Sequence, residues 1–360
     1  MTFAVSVSAV ELANVDSALT VVEQAIEQAG LRRHSDLVSR VWVFCTPHFA
    51  SCMDSLAHQV AVKTRCMNVW GGCVSGLLSD QGILAHQPAL LVAIFGAEFE
   101  PTDDSPARLA LSLAENEQSW PYTWDAIQRE SASAQHANVG LGLLSYGANY
   151  ATMPRVEHAR PQADLPVNHE LACQRLLTLN SEGLEFLGDA QRVNECNGLF
   201  LIQAGNKPAA AALNCPDQQT KPVGLRLQVI HEQGESWIPV MELHADGTLG
   251  LAAPVMKGQL VRLARRSDDG ATQDMQALAT QLEQHFGDKP PSLGIIVAGF
   301  ERSSLCHDDQ QDIQSIMALY PNTQWIGLFG QASGVFSAKH WIAPPRNNRL
   351  CISLFDAPHV

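Results

Sequence analysis

Four side chains are of types that could contact a small polar molecule. Arg302 follows an apolar stretch, and a guanidinium fork can bind a carboxylate or phosphate through two parallel hydrogen bonds. Gln331 and Asn348 each carry both a donor and an acceptor. Cys73 would be nucleophilic if a helix N-terminus favoured its thiolate. Each has a structural alternative: an ion pair with Glu301 for Arg302, loop capping for the two amides, and a small buried hydrophobic residue for Cys73.

Thirteen histidines raise haem or metal binding as a second kind of chemistry. His48 follows one apolar stretch and His86 precedes another. A haem iron takes an axial side chain inside an apolar pocket. The chain has neither a Cys-x-x-Cys-His attachment sequence nor a His-Glu-x-x-His pattern. An exposed or hydrogen-bonded histidine is the simpler interpretation at each position, and no metal ligands are predicted.

Enzyme motifs are missing from the sequence. It has no phosphate-binding P-loop and no Gly-x-Ser-x-Gly elbow. Gly140-Leu141-Gly142 lacks the third glycine of a dinucleotide fingerprint. Catalytic triads assemble in space rather than in sequence, so a serine or cysteine hydrolase stays open. No catalytic residue is predicted, and a binding protein is favoured over an enzyme.

The candidate side chains must be positioned by buried strands, and residues 69–80 are central to them. This segment, with Gly71 and Gly72 in its middle, lies between apolar stretches at 41–45 and 88–96. The second stretch is too apolar to face water on either side, which predicts a strand buried on both faces. Glycine accepts positive φ and lets another group approach the backbone. In open α/β sheets, ligands bind where strands end in such turns.

The surrounding pattern predicts an α/β fold made of two related halves. Apolar residues spaced three and four apart predict helices over 15–29 and 50–62, and strands alternate with them. The last hundred residues repeat the same types of element. Asp246-Gly247 predicts a hairpin turn. We expect mixed β-sheets packed together with helices on the outer faces, in αββα-like layers, and regions at 1–190 and 191–360.

Composition limits the classes of partner. The 360 residues are 46% hydrophobic and carry a formal net charge of −14. Nucleic acids and anionic membranes attract clustered Lys and Arg, so neither is expected as a partner. No apolar run approaches a membrane span, and the start has no basic signal region. The nine scattered cysteines include no Cys-x-x-Cys pair, which favours a reducing cytoplasm over a disulfide framework.

Several segments occur in a fixed order along nearly the whole chain: residues 69–76 with 88–95, 192–202 with 205–209, 241–243 with 258–263, 294–305, 326–334 and 347–350. Taken as an ordered set, they resemble the FIST family. The N- and C-terminal regions of that family are regarded as a small-ligand-binding sensory module in bacterial signalling.

The resemblance implies a cytoplasmic sensor that binds an amino acid or another small anion in a groove between its halves. The sequence has no recognisable output region, so a histidine kinase or another signalling partner would receive the signal. The expected ligand-binding residues are Trp70, Gly71, Gly72, Cys73, Ser75, Arg302, Gln331 and Asn348.

Two alternatives to this interpretation stay open. Some FIST-like proteins are described as haem-binding nitric-oxide sensors, which makes haem a possible cofactor and His48 and His86 its candidate ligands. The other is an enzyme that uses Cys73 or a spatially assembled site. The chain also departs from the family pattern. Gly299 stands where a cysteine is frequent, and Gln331 where a glutamate is frequent, and a neutral amide cannot hold an ammonium group as a carboxylate would.

Overall fold

The structure is a computed structural model of a mixed α/β chain with a β-barrel. It describes residues 3–30, 38–79, 82–100, 107–114, 140–147, 170–181, 183–215, 224–231, 234–299, 309–330, 332–337 and 350–356.

The chain forms two compact units. The sandwich unit comprises Met1–Asn180, Leu278–Arg302 and Gln310–Val360, and the barrel unit comprises Ser181–Ala277 and Ser303–Asp309. The sandwich unit therefore draws on both ends of the chain. The expected regions 1–190 and 191–360 are defined by sequence rather than by compactness, and that division stays a prediction.

Twenty-two strands and five helices are present in the described ranges. The first part of the chain contains β1 (Phe3–Ala9), α1 (Val15–Gln28), β2 (Val38–Cys45), α2 (Met53–Thr64), β3 (Val69–Cys73), β4 (Gly76–Ser79), β5 (Gly82–Leu84), β6 (Ala89–Gly96), β7 (Ala107–Ala114), β8 (Gly140–Gly147), β9 (Glu170–Cys173) and β10 (Leu176–Ser181), with 3₁₀ turns at Pro47–Cys52 and Ala97–Phe99. Then come β11 (Leu184–Phe186), β12 (Gln191–Asn197), β13 (Phe200–Ala204), β14 (Lys207–Pro208), α3 (Ala209–Ala212), β15 (Leu225–His231), β16 (Gly234–Leu243), β17 (Leu249–Leu251), β18 (Leu260–Arg266), α4 (Asp268–Phe286), β19 (Leu293–Gly299), α5 (Asp309–Leu319), β20 (Gln324–Gly330), β21 (Ala332–Ser337) and β22 (Leu350–Phe355).

The first sheet of the sandwich unit has the strand order β1-β6-β2-β3. Strand β6 is antiparallel to both neighbours, whereas β2 and β3 are parallel. All eight residues of β6 are buried, as expected for a strand covered on both faces. One face packs against the apolar sides of α1 and α2. Helix α1 begins where the Asn14 side chain accepts a hydrogen bond from the Ser17 amide at 2.8 Å.

The second sheet has the order β10-β22-β19-β20-β4-β5 and packs on the other face of the first. Their shared core contains Trp42, Phe44 and Phe95 from the first sheet and Ile295 and Leu328 from the second. The Gln324 side chain at the start of β20 also accepts a hydrogen bond from the Val5 amide of β1, at 2.7 Å. The sheets are therefore joined by apolar burial and by a direct polar contact.

The two sheets repeat one topology, which confirms the prediction of two related halves. The first half runs β1, α1, β2, α2, β3 and later β6, and the second runs β10, α4, β19, α5, β20 and later β22. The sheet order β10-β22-β19-β20 matches β1-β6-β2-β3. In both halves the second and third strands in chain order (β2 and β3, β19 and β20) pair in parallel. The returning strand, β6 or β22, is antiparallel to the second strand of its half.

The sandwich unit has a third sheet, with the strand order β21-β8-β7-β9. Its strands lie outside the two repeated sets of strands and helices. After β3 the chain leaves the first sheet, and β4 pairs with β20 of the second. After β20 it leaves the second sheet, and β21 pairs in parallel with β8 of the third. The third sheet contributes Leu109, Leu171 and Cys173 to the shared core.

Most of the barrel unit, Ser181–Ala277, lies in the chain between β10 and β19. Six antiparallel strands close in the order β12-β13-β17-β16-β15-β18, with β18 pairing back to β12. The interior is apolar. The predicted Asp246-Gly247 turn joins β16 to β17, with the Asp246 carboxylate accepting a hydrogen bond from the Thr248 amide at 2.9 Å.

Across all described residues, no helix combines the length and apolarity needed to cross a membrane.

Candidate functional site

One edge of the second sheet gathers four strand ends. Parallel strands β19 and β20 end at register partners, Gly299 and Gly330. Strand β4 starts at the same edge, because Gly76 pairs with Phe329. Strand β22 also starts there, because Leu350 pairs with Ala298. The ends of four adjacent strands, in the order β22-β19-β20-β4, thus form what we call the four-strand edge.

The strand ends at the four-strand edge are close in sequence to four of the predicted ligand residues. Ser75 is half-buried and immediately precedes β4. Arg302, Gln331 and Asn348 lie outside the described residues. Their nearest described neighbours on the strands are Gly299, Gly330 and Leu350, which are all at this edge. The sheet pairing therefore brings together chain segments that are separated by more than 200 residues in sequence.

Trp70, another predicted ligand residue, belongs to the core. Its side chain is 5% exposed. The ring lies edge-on to Trp42 and Phe44, with ring centroids 5.5 Å apart in both pairs. Aromatic pairs in this geometry stabilise a core beyond the area that they bury. The observed contacts of Trp70 are thus those of a packing residue between the two sheets.

Packing also explains Gly71, the first glycine of the pair in β3. Gly71 has φ +156, and a Cβ built there would overlap the Val43 carbonyl of the neighbouring strand β2. Gly72 is buried beside it, in register with Phe44. The sequence correctly indicated a close approach to this backbone. The approaching group at Gly71 is the adjacent strand.

Cys73 lies in a cluster of sulfur atoms at the ends of β2 and β3. Its Sγ is 3.6 Å from Sγ of Cys45 and 3.2 Å from Sδ of Met53. Cys73 is 5% exposed, and Cys45 and Met53 are also buried. Burial raises the pKa of the Cys45 thiol, and the neighbouring Cys73 raises it further. Sequence reasoning singled out Cys73 but missed Cys45, although both are the last residues of their strands.

The two candidate haem ligands are exposed side chains. His48 lies in the 3₁₀ turn after β2, with Nδ1 3.2 Å from the Thr46 hydroxyl. Thr46 Oγ1 donates to the Gln87 carbonyl and accepts from the Ala89 amide, at 3.0 Å in both bonds. His86 immediately precedes that segment. Neither histidine lies in an apolar pocket of the kind that a haem iron requires.

Sequence reasoning also missed a short internal repeat. Residues 72–76 and 330–334 share the pattern Gly-x-x-Ser-Gly. Each copy starts where the third strand of a half is ending and continues into the strand that joins the next sheet, β4 in one half and β21 in the other. The repeat is five residues long, so it gains significance only once the two sheets have been aligned.

No group of three or more His, Cys, Asp or Glu side chains placed to hold a metal ion is found among the described residues. The seven cysteines at 45, 52, 66, 73, 173, 196 and 215 are free thiols. Neither the scan against protein-family models nor the search of curated proteins gave a match to this chain.

Proposed function

We propose that the protein is a small-ligand-binding sensor of the FIST type that takes an anionic molecule at the four-strand edge. The observation that supports this most strongly is the pairing of Gly299 with Gly330, flanked by the starts of β4 and β22. Ligands in α/β proteins bind where the carboxyl ends of parallel strands meet. Four residues that the sequence singled out for polar recognition lie within three positions, in sequence, of those strand ends.

Arg302 is proposed to bind the anionic group, with Ser75, Gln331 and Asn348 completing the polar contacts. A guanidinium matches a carboxylate or phosphate through two parallel bonds. Arg302 would supply the local positive charge that an anion needs in a protein whose net charge is −14. Ligand occupancy would then be passed to a signalling partner such as a histidine kinase. A cytoplasmic location is part of this proposal, and the free thiols support it.

The first experiment is a native mass spectrum of freshly purified protein, with an absorbance scan of the same sample. A colourless mass excess would support a small ligand and bound its size. A Soret band would instead favour the haem alternative. Thermal-shift measurements with amino acids and small dicarboxylates would follow, because a ligand that binds only the folded state raises its melting temperature.

Variants then test the residues that carry the proposal. Arg302→Ala should weaken binding of the best anion roughly 10- to 150-fold, since hydrogen bonds to charged groups contribute about 1.5–3 kcal/mol and about 1.4 kcal/mol corresponds to tenfold. Ser75→Ala should weaken it less. The control is Arg192→Ala, which removes the same charge from the barrel unit, where Arg192 donates to the Gly258 carbonyl. Equal affinities of Arg302→Ala and wild-type protein would refute the proposed site.

A further inference from the structure

Two thiols and one thioether converge where the first sheet meets helix α2. Cys45 and Cys73 are register partners on the adjacent parallel strands β2 and β3, so their side chains point to the same face. Their Sγ atoms are 3.6 Å apart. Met53 is the first residue of α2, and its Sδ is 3.2 Å from Sγ of Cys73. We call Cys45, Cys73 and Met53 the sulfur triad.

The sulfur triad is buried but lies close to a half-buried thiol. Cys45, Met53 and Cys73 are 0%, 3% and 5% exposed. Their oxygen contacts are long, with Cys45 Sγ 4.0 Å from the Gly72 carbonyl and Cys73 Sγ 3.9 Å from the Thr46 carbonyl. Cys52, which is half-buried, immediately precedes Met53 in the chain. The closest polar partners of the triad sulfurs are therefore other sulfurs.

We propose that the sulfur triad is a binding site for monovalent copper. Thiolate and thioether ligands select Cu(I) among biological metals, whereas Zn²⁺ in structural sites takes four nitrogen, sulfur or carboxylate ligands. The described residues offer no cluster of three or more His, Cys, Asp or Glu around a common point. A soft ion with two or three sulfur ligands fits the donor set, and a four-coordinate ion does not.

The separations of Cys73 Sγ from Cys45 Sγ and from Met53 Sδ are close to those that a three-sulfur site needs. With metal–sulfur bonds of roughly 2.3 Å, a planar three-coordinate site separates its sulfurs by about 4.0 Å. To reach about 4.0 Å, the Cys45–Cys73 separation of 3.6 Å must increase by about 0.4 Å. The Cys73–Met53 separation of 3.2 Å must increase by about 0.8 Å. Rotation about side-chain bonds can supply such shifts, particularly in the unbranched Met53. The two strands need not separate.

The charge balance is also favourable. Each thiol releases its proton on binding, so Cu⁺ and two thiolates form a complex of charge −1 and two protons leave to solvent. No electron is transferred. The bound Cu⁺ cancels one of the two thiolate charges, so the buried complex carries less charge than the two thiolates would carry alone.

Anaerobic titration of the full-length, reduced protein with Cu(I) in competition with a chromogenic Cu(I) chelator tests the proposal. We expect one tightly held Cu(I) per chain. Cys45→Ser and Cys73→Ser should each weaken binding by at least roughly 100-fold, and Met53→Leu by about tenfold, because even the loss of an outer-shell partner costs 10- to 100-fold in affinity. Cys173→Ser is the matched control, since Cys173 is a fully buried thiol of the same unit outside the triad.

X-ray absorption on the copper-loaded wild-type protein tests the site without any variant, in case a serine variant fails to fold. It should show two or three sulfur neighbours at roughly 2.3 Å. Coordination by nitrogen or oxygen would overturn the proposal. So would tight binding that survives in the folded Cys45→Ser and Cys73→Ser variants, or an equal loss of affinity in Cys173→Ser.

Discussion

Replacing Gly71 with alanine should destabilise the sandwich unit severely. The new Cβ would overlap the Val43 carbonyl oxygen and would stand 2.6 Å from its carbonyl carbon. Ordinary contact begins at about 3.4 Å, so strand β2 must move by well over 1 Å to relieve the overlap with the oxygen. Overpacking of this kind costs about 1–3 kcal/mol. The loss of about two strand–strand hydrogen bonds beside Gly71 adds roughly 1–3 kcal/mol, which gives about 2–6 kcal/mol in total.

Urea denaturation measures the free energy of unfolding directly. Near-UV circular dichroism can follow it, because Trp70 and its aromatic neighbours lie beside Gly71 in the core. The matched control is Gly30→Ala in the same unit. Gly30 has φ +69 but nothing within 4 Å of its would-be Cβ, so only the backbone cost of about 1–2 kcal/mol applies. Equal destabilisation by the two substitutions, or loss of ligand binding by Gly71→Ala at unchanged stability, would refute the packing argument.

Three further predictions concern charged and thiol groups. Arg175→Met should lower the free energy of unfolding by about 2 kcal/mol, because Arg175 pairs with Asp356 at 2.5 Å in a partly buried site. A double-mutant cycle with Asp356→Asn should show coupling between the two side chains. Additive effects of the two substitutions on the free energy of unfolding would contradict this prediction. Hydrogen bonds from Thr248 lower the pKa of Asp246 in the folded protein. The ionised carboxylate therefore stabilises the folded state above the unfolded pKa of about 3.9, and this stabilisation is lost as the pH falls through the lower pKa of the folded state. The urea midpoints of wild type and Asp246→Asn should converge in acid, and a difference in midpoint that stays constant with pH would contradict this. Burial raises the pKa of Cys173, so mass spectrometry should show it alkylated at pH 8 far more slowly than a cysteine peptide, whereas equal rates would exclude this burial.

The repeated half was only partly visible in the sequence. The strand–helix alternation at both ends predicted related halves, and the matching sheet orders confirm them. The barrel unit separates β10 from β19 by more than 100 residues, so the second copy is interrupted where the first is continuous. The five-residue Gly-x-x-Ser-Gly repeat is too short to detect against such an interruption. Sheet pairing identifies it because register depends on backbone hydrogen bonds rather than on sequence identity.

Local patterns determined the elements of this protein. The continuous apolar run of β6 predicted a strand buried on both faces, and the spacing of apolar residues predicted α1. Asp246-Gly247 predicted the hairpin between β16 and β17 because few residues accept the backbone of such a turn; Gly247 has φ +85. These features follow from side-chain period and backbone freedom within a few residues, and the sequence contains both.

Only the tertiary structure decided which distant segments meet. It placed the Val43 carbonyl against Gly71, Cys45 against Cys73, and Gly299 beside Gly330. A glycine in a sequence shows that something can come close, but not whether a strand or a ligand does so. Strand order and register depend on the free energy of burying whole sheet faces, to which residues from distant parts of the chain contribute together. The contacts that define the four-strand edge and the sulfur triad therefore cannot be derived from any one local stretch of sequence.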